Sequence, residues 1–108
     1  MGEYKIIIAK DFSITPGSRY PDEGSFSGQE FREKVLLPKF IEALNNSSKL
    51  IIDLDGTIGY ATSFLEEAFG GLARQFGPKL ILDTLEFISN EEVYLIEDVI
   101  NYIKEAND

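Results

Sequence analysis

The chain has 108 residues, of which 44% are hydrophobic and 27% charged, and these values predict one globular domain over residues 1–108. Its 19 acidic and 10 basic residues give a net charge of −9, and such a surface repels phosphate backbones, so we expect no nucleic-acid partner. Because the chain contains neither cysteine nor histidine, disulfides, thiolate nucleophiles, zinc enzymes and serine–histidine hydrolases are excluded.

The N-terminal half predicts one strand, a long loop and one helix. The β-branched run Tyr4–Ala9 is typical of a short strand. Ser13–Gly28 is rich in Ser, Pro and Gly, and loops of this length in compact domains are often functional. Ser27 opens an S-x-x-E capping box, which predicts a helix over residues 28–45, kinked or split at Pro38.

The C-terminal half predicts two strands and two further helices. Leu50–Leu54 is almost continuously apolar, as expected of a central strand covered on both faces. Ser63 opens a second capping box, before a helix over residues 64–76. Leu85–Ser89 is the next predicted strand, and Ser89 opens a third box before a helix over residues 90–105. The alternation predicts an α/β fold with a mixed sheet of four or five strands and three main helices.

The motif Asp53-Leu54-Asp55-Gly56-Thr57 follows the central strand. It resembles the nucleophile loop of the haloacid dehalogenase family, in which the first Asp attacks phosphorus beside a magnesium ion and the second acts as acid and base. That family also needs a later Lys and a further acidic pair at a strand end, whereas Glu97-Asp98 falls inside the predicted last helix. A magnesium-dependent phosphohydrolase is therefore an alternative function, and a turn after a buried strand explains the same residues. A bare magnesium site is a further alternative, formed by Asp53, Asp55, Glu66 and Glu67.

Three other stretches stand out together: Gly17–Tyr20, Ser27–Arg32 with Pro38 downstream, and Ser63–Leu72. Their combination resembles a bacterial STAS-like family of unknown function; STAS domains are named for sulfate transporters and anti-sigma-factor antagonists. The resemblance implies a small STAS-like α/β domain. It also implies a non-enzymatic regulatory module whose partner is another protein, an ATP-binding kinase or an anti-sigma-like protein.

In the anti-sigma-factor antagonists, an Asp-Ser-Ser/Thr-Gly loop precedes the second helix, and a partner kinase phosphorylates its first hydroxyl. Alignment on the distance from strand to helix places Thr62 at the phosphoacceptor and Ser63 beside it. Ala61 and Phe64 stand at the Asp and Gly positions, so two of the four positions depart from that pattern. A hydroxyl at a helix N-terminus is well placed to carry phosphate, and it is equally typical of a helix cap.

We expect the interaction surface to involve five residues: Arg19, Thr62, Ser63, Phe64 and Glu67. Phe64 lies about 100° around the helix from the apolar stripe, which predicts a position at the edge of the core. Arg19 lies in the Ser13–Gly28 loop, where its charge favours a second alternative, a nucleotide- or anion-binding module. The sequence predicts no catalytic residue, metal or cofactor. It contains neither a recognisable signal peptide nor a membrane-length apolar run, so we expect a cytoplasmic protein with no membrane partner.

Overall fold

The computed structural model describes residues 4–106, which form a three-stranded parallel sheet surrounded by helices. The strands are β1 (Tyr4–Ile7), β2 (Leu50–Asp53) and β3 (Leu85–Ile88), and β2 lies in the centre. Ile6 is in register with Ile52, which is in register with Phe87 on its other side. Because all three strands run in the same direction, the loops that follow them lie at one edge, here called the carboxyl edge.

The described residues contain five helices and one 3₁₀ turn, Pro21–Glu23. Three of the helices are α-helical throughout: α1 (Ile8–Asp11), α4 (Pro78–Thr84) and α5 (Tyr94–Lys104). The other two each contain a π-helical turn. In α2, Gly28–Phe31 is followed by the π turn Arg32–Leu36 and then by Leu37–Asn45. In α3, Thr62–Leu65 is followed by the π turn Glu66–Gly70 and then by Gly71–Phe76. None of the helices described is both long and apolar enough to cross a lipid bilayer.

One hydrophobic core receives buried side chains from every strand and every helix. α3 is its centre, because α2 packs against one side of it and α5 against another. The approach to α2 is close: a Cβ on Gly28 would lie 2.6 Å from the backbone oxygen of Phe64, and one on Gly71 would lie 2.7 Å from Nε of Arg32. Gly71 therefore allows close contact between α3 and α2.

The expected mixed sheet of four or five strands with three main helices differs from the structure in both counts, and also in strand direction, because all three strands are parallel. Within residues 4–106 the loop before α2 contributes a 3₁₀ turn and no strand. The first strand ends at Ile7 rather than Ala9, because the carboxylate of Asp11 accepts a hydrogen bond of 2.8 Å from the Ile7 N–H and the chain turns into α1. The α/β class and the three strands predicted at β1, β2 and β3 are confirmed.

The predicted start of α2 is confirmed, because the Ser27 hydroxyl accepts a hydrogen bond of 3.0 Å from the Glu30 N–H. The predicted kink or split at Pro38 takes the form of the π turn before it, in which the Leu37 N–H donates to the Arg32 carbonyl. A π turn accommodates an extra residue, so the helix continues through a proline that has no N–H to donate.

The other two predicted caps are wrong. α3 begins at Thr62, and its N-cap is Ala61, so Ser63 lies inside the first turn. The hydroxyl of Ser89 donates to the carbonyl of Glu92 at 2.6 Å, and α5 begins only at Tyr94. The segment between Ser89 and Tyr94 is held in a non-helical conformation by Asp55.

Ser27→Ala is predicted to cost about 1 kcal/mol of unfolding free energy, because it removes the acceptor for an N-terminal N–H of α2. Ser63→Ala is the matched control, since it deletes the same hydroxyl inside a helix, and we expect a change below about 0.5 kcal/mol. Urea denaturation of both variants measures the difference. Equal losses in the two variants would contradict the assignment of Ser27 as the cap.

Candidate interaction site

Asp55 joins the loop after β2 to the loop after β3. Its carboxylate accepts hydrogen bonds from the backbone N–H of Asn90 at 2.9 Å, from the Asn90 side-chain amide at 3.2 Å and from the backbone N–H of Glu91 at 3.0 Å. Glu91 accepts in turn from the Gly56 N–H at 3.0 Å. The N–H groups of Glu91 and then Asn90 lower the pKa of Asp55, because they stabilise its charged form. Asp55 therefore fixes the shape of the carboxyl edge.

Asp53, the first aspartate of the motif, is also part of a turn. Asp53 accepts a hydrogen bond of 3.0 Å from the Asp55 N–H, as in an Asx turn. Below it, the Tyr60 hydroxyl donates to the Leu54 carbonyl at 2.8 Å. Burial raises the pKa of Tyr60 to about 12, so the phenol stays protonated at physiological pH. Both aspartates of the phosphatase-like motif thus have structural hydrogen bonds.

The four carboxylates suggested for a bare magnesium site do not come together. Within residues 4–106, no group of three His, Cys, Asp or Glu side chains is arranged to hold a metal ion. Glu66 and Glu67 instead lie on α3 and bind arginines. This arrangement does not support the alternative magnesium site, because arginines bind two of its four suggested ligands.

Every arginine of the chain contacts Glu66 or Glu67; these five residues are here called the arginine cluster, Arg19, Arg32, Arg74, Glu66 and Glu67. Arg32 donates to the Glu67 carboxylate at 2.6 Å and to its backbone carbonyl at 3.2 Å. Arg19 donates to Glu66 at 2.5 Å and to Glu67 at 3.3 Å. Arg74 donates to Glu66 at 2.7 Å. The cluster ties the long loop and α2 to α3.

The arginine cluster changes the interpretation of two predicted surface residues. Glu67 is only 7% exposed, and both of its carboxylate oxygens are bonded. Arg19 is paired with two carboxylates, so the free positive charge expected in the loop is not present there. The hydrogen bond that Arg19 donates to Glu66 raises the pKa of Arg19, and the hydrogen bonds from Arg74 and then Arg19 lower the pKa of Glu66.

Phe64 is fully buried, so the prediction that it lies at the edge of the core is wrong. Its ring packs 5.8 Å from that of Phe31 and 5.9 Å from that of Tyr60, measured between ring centroids. A single apolar stripe was assumed for this helix, but every residue from 67 to 73 is buried. α3 is covered on several sides, and the extra residue of its π turn shifts the regular helical spacing.

Thr62 is the predicted site residue that is most accessible. It is exposed at the first position of α3, immediately after the loop that follows β2. Ala61 at the N-cap has no side-chain oxygen to bind the free N–H groups of the first turn. Ser63, beside it, is half-buried. Among the five predicted site residues, Thr62 is therefore exposed, whereas the other four are partly or fully buried.

Sequence reasoning missed four exposed apolar side chains at the carboxyl edge: Ile14, Ile58, Val93 and Tyr94. They belong to the loops after α1 and β2 and to the start of α5, and the Ile58 N–H donates to the Ile14 carbonyl at 2.9 Å. The signal in the sequence was weak but present. Ile14 and Ile58 lie outside the predicted helices, beside serine or glycine, whereas Val93 and Tyr94 lie within the helix predicted over residues 90–105.

Glu67→Ala is predicted to cost about 2–4 kcal/mol of unfolding free energy, because it leaves the partly buried Arg32 without its charge partner. Lys79→Ala is the control: its ion pair with Asp83 is exposed, and we expect a change below about 0.5 kcal/mol. Chemical denaturation compares the two variants. A loss from Glu67→Ala no greater than the control would contradict the structural role of the cluster.

Glu66 is predicted to contribute stability that depends on pH. Its pKa in the folded protein lies below the ordinary value of 4.5, so its contribution is complete above that value and is lost as the pH falls through the folded pKa. The difference in unfolding free energy between wild type and Glu66→Gln should shrink on acidification below pH 4.5. Urea denaturation at several pH values measures this difference, and a constant difference would contradict the assignment.

Residues 27–95 match the sequence profile of a family described as a STAS-like domain of unknown function (DUF4325). The matched segment includes α2, β2, α3 and β3, and it leaves out the Gly17–Tyr20 stretch. No curated protein and no solved structure matches the chain significantly. Since the match covers more than half of the sequence, it confirms the resemblance, and the chain belongs to this family of STAS-like domains.

Proposed function

We propose that this chain is a non-enzymatic regulatory module that binds a protein partner and is switched by phosphorylation of Thr62. The observation that carries the proposal is the exposure of Thr62 at the start of α3, at the carboxyl edge of the sheet. In parallel α/β sheets this edge is where ligands bind. Membership of a STAS-like family supports the same class of function. The resemblance to anti-sigma-factor antagonists favours an ATP-binding kinase or an anti-sigma-like protein as the partner.

A phosphate on Thr62 is physically well placed. The N–H groups of the first helical turn and the helix dipole favour an anion at this end of α3. Phosphorylation adds a charge of about −2 to a surface that already carries carboxylates, and such a change can weaken a protein interface without unfolding the domain. Thr62 precedes Phe64, whose burial fixes the helix beneath it. The switch therefore acts through surface charge.

The hydrogen bonds of Asp55 support the non-enzymatic interpretation. Its carboxylate is directed to the N–H groups of Asn90 and Glu91, which lower its pKa. A general acid needs a pKa near the working pH, and Asp55 is shifted in the opposite direction. The pairing of Arg19 with glutamates likewise weakens the case for an anion-binding loop. A cytoplasmic location belongs to the proposal, since ATP-dependent kinases act there and the chain has no cysteine that would indicate an oxidising compartment.

Thr62→Asp is predicted to weaken partner binding by roughly tenfold or more, because it introduces charge into the interface. Tagged wild type and variants are compared by quantitative recovery of the partner from the native host. Thr62→Val removes the hydroxyl without adding charge and should bind as wild type does, in a form that no longer responds to the kinase.

Ser47→Asp is the matched control for charge, because Ser47 is exposed beyond the end of α2 and precedes β2, away from the carboxyl edge. Circular dichroism establishes that all variants are folded. Phosphopeptide mapping of the wild type should find phosphate on Thr62. Equal losses of binding in Thr62→Asp and Ser47→Asp would reject the proposed site.

A further inference from the structure

The exposed apolar side chains at the carboxyl edge are prominent for a chain of this size. Ile58 is 80% exposed, Val93 69%, Tyr94 59% and Ile14 57%. Single exposed apolar residues are common on protein surfaces and need no explanation. These four belong to loops and a helix start at one edge, and the Ile58 N–H binds the Ile14 carbonyl. A clustered apolar patch of this kind is typical of a protein interface.

A cavity of about 260 Å³ adjoins this patch, and one patch residue, Ile58, lines it. Ile58 and Leu95 form part of its apolar wall, and Val93 and Tyr94 directly precede Leu95 in the chain. Three carboxylate residues also line it, Asp55, Glu91 and Glu92, and Leu54, Thr57 and Ser89 complete the lining. No basic residue lines this cavity. The patch therefore combines aliphatic surface with negative charge.

Most positive charges of the described chain lie away from this cavity. All arginines are held in the arginine cluster. Three lysines line a separate cavity between β1 and α2, namely Lys5, Lys34 and Lys39. Burial is the main cause of the raised pKa of the nearby Tyr60, and the carboxylates of Asp53, Asp55 and Glu91 raise it further. An occupant that complements this edge must bring positive charge.

We propose that the carboxyl edge binds a basic amphipathic segment of a partner protein. Aliphatic side chains of that segment cover Ile58 and Val93, and a lysine or arginine enters the cavity and pairs with Glu91 or Glu92. The complementarity of sign favours this occupant over two others: a second copy of this chain carries a net charge of −9, and an anionic membrane surface is repelled in the same way. The inference rests on the proposed function only in taking the ligand to be a protein.

The probe is a synthetic helical peptide of leucine and lysine, and its counterpart has glutamate in place of every lysine. Titration into the isotopically labelled full chain is followed by amide chemical-shift changes. We expect the lysine peptide to shift residues 54–58 and 89–95, and the glutamate peptide to shift none. Ile58→Ser combined with Val93→Ser should weaken binding roughly tenfold or more, because both side chains lose buried apolar contact.

Ile41→Ser is the matched control, since Ile41 is 36% exposed on α2, away from this edge, and it should leave the affinity unchanged. Glu91→Gln keeps the oxygen that accepts from Gly56, so it removes charge with little disturbance and should reduce the salt dependence of binding. Shifts spread over the whole surface, or equal losses in the Ile58→Ser, Val93→Ser variant and in Ile41→Ser, would overturn the inference.

The Thr62→Asp variant distinguishes this inference from the phosphorylation proposal. Peptide binding that depends on Ile58 but is the same in wild type and Thr62→Asp supports the docking surface and rejects the switch. Loss of binding in both kinds of variant supports both. Binding that is insensitive to Ile58 rejects the docking surface whatever the result at Thr62.

Discussion

The two adjacent glutamates of α3 are the constraint on which much of the structure depends. Glu66 and Glu67 are the acceptors for every arginine of the chain, and those arginines come from the long loop, from α2 and from α3 itself. A largely buried carboxylate such as Glu67 is costly unless it is paired and hydrogen-bonded, so the arginines must keep their positions. Arg32 can reach Glu67 because Gly71 carries no side chain where α2 and α3 meet. Charge pairing and close helix packing are thus one arrangement.

The effect of this arrangement on function is indirect. With the loop and α2 fixed to α3, the N-terminus of α3 has one position relative to the sheet, and Thr62 is presented at the carboxyl edge. On the other side of that edge, Asp55 holds the loop after β3 through the N–H groups of Asn90 and Glu91. The acidic residues that look catalytic or metal-binding in the sequence therefore hold in place the helix and the loops that form the carboxyl edge. The surface itself is made of exposed aliphatic side chains and carboxylates.

The sequence predicted the features that depend on local chemistry. β-branched and apolar runs identified the three strands, and the Ser27 box identified the start of α2. The remaining features depend on contacts between distant parts of the chain. The Ser89 box has the same spacing as the Ser27 box, but the downstream N–H groups bind Asp55, which is 35 residues away from Asn90 in the sequence. Nothing in the local pattern distinguishes the two.

The candidate site was predictable only in part, for the same reason. Thr62 was identified by its distance from the central strand, which is a local property. The burial of Phe64 follows from the π turn and from cover by neighbouring helices, and both are tertiary effects. Arg19 pairs with two glutamates that lie 47 and 48 positions later in the sequence. The composition of the loop alone therefore did not indicate that the charge of Arg19 is paired. Ile58 lies in a loop that has no periodic pattern, and only the folded edge brings it together with the exposed Val93.

The central claim is that a partner protein binds at the carboxyl edge, and site-specific photo-crosslinking in the native host tests it most directly. A photoreactive phenylalanine analogue is placed at Ile58, at Val93 or, as a control, at Ile41. The predicted result is an adduct from positions 58 and 93 whose partner peptide is rich in lysine or arginine, with no such adduct from position 41. Equal adducts from all three positions, or none from 58 and 93, would contradict the claim.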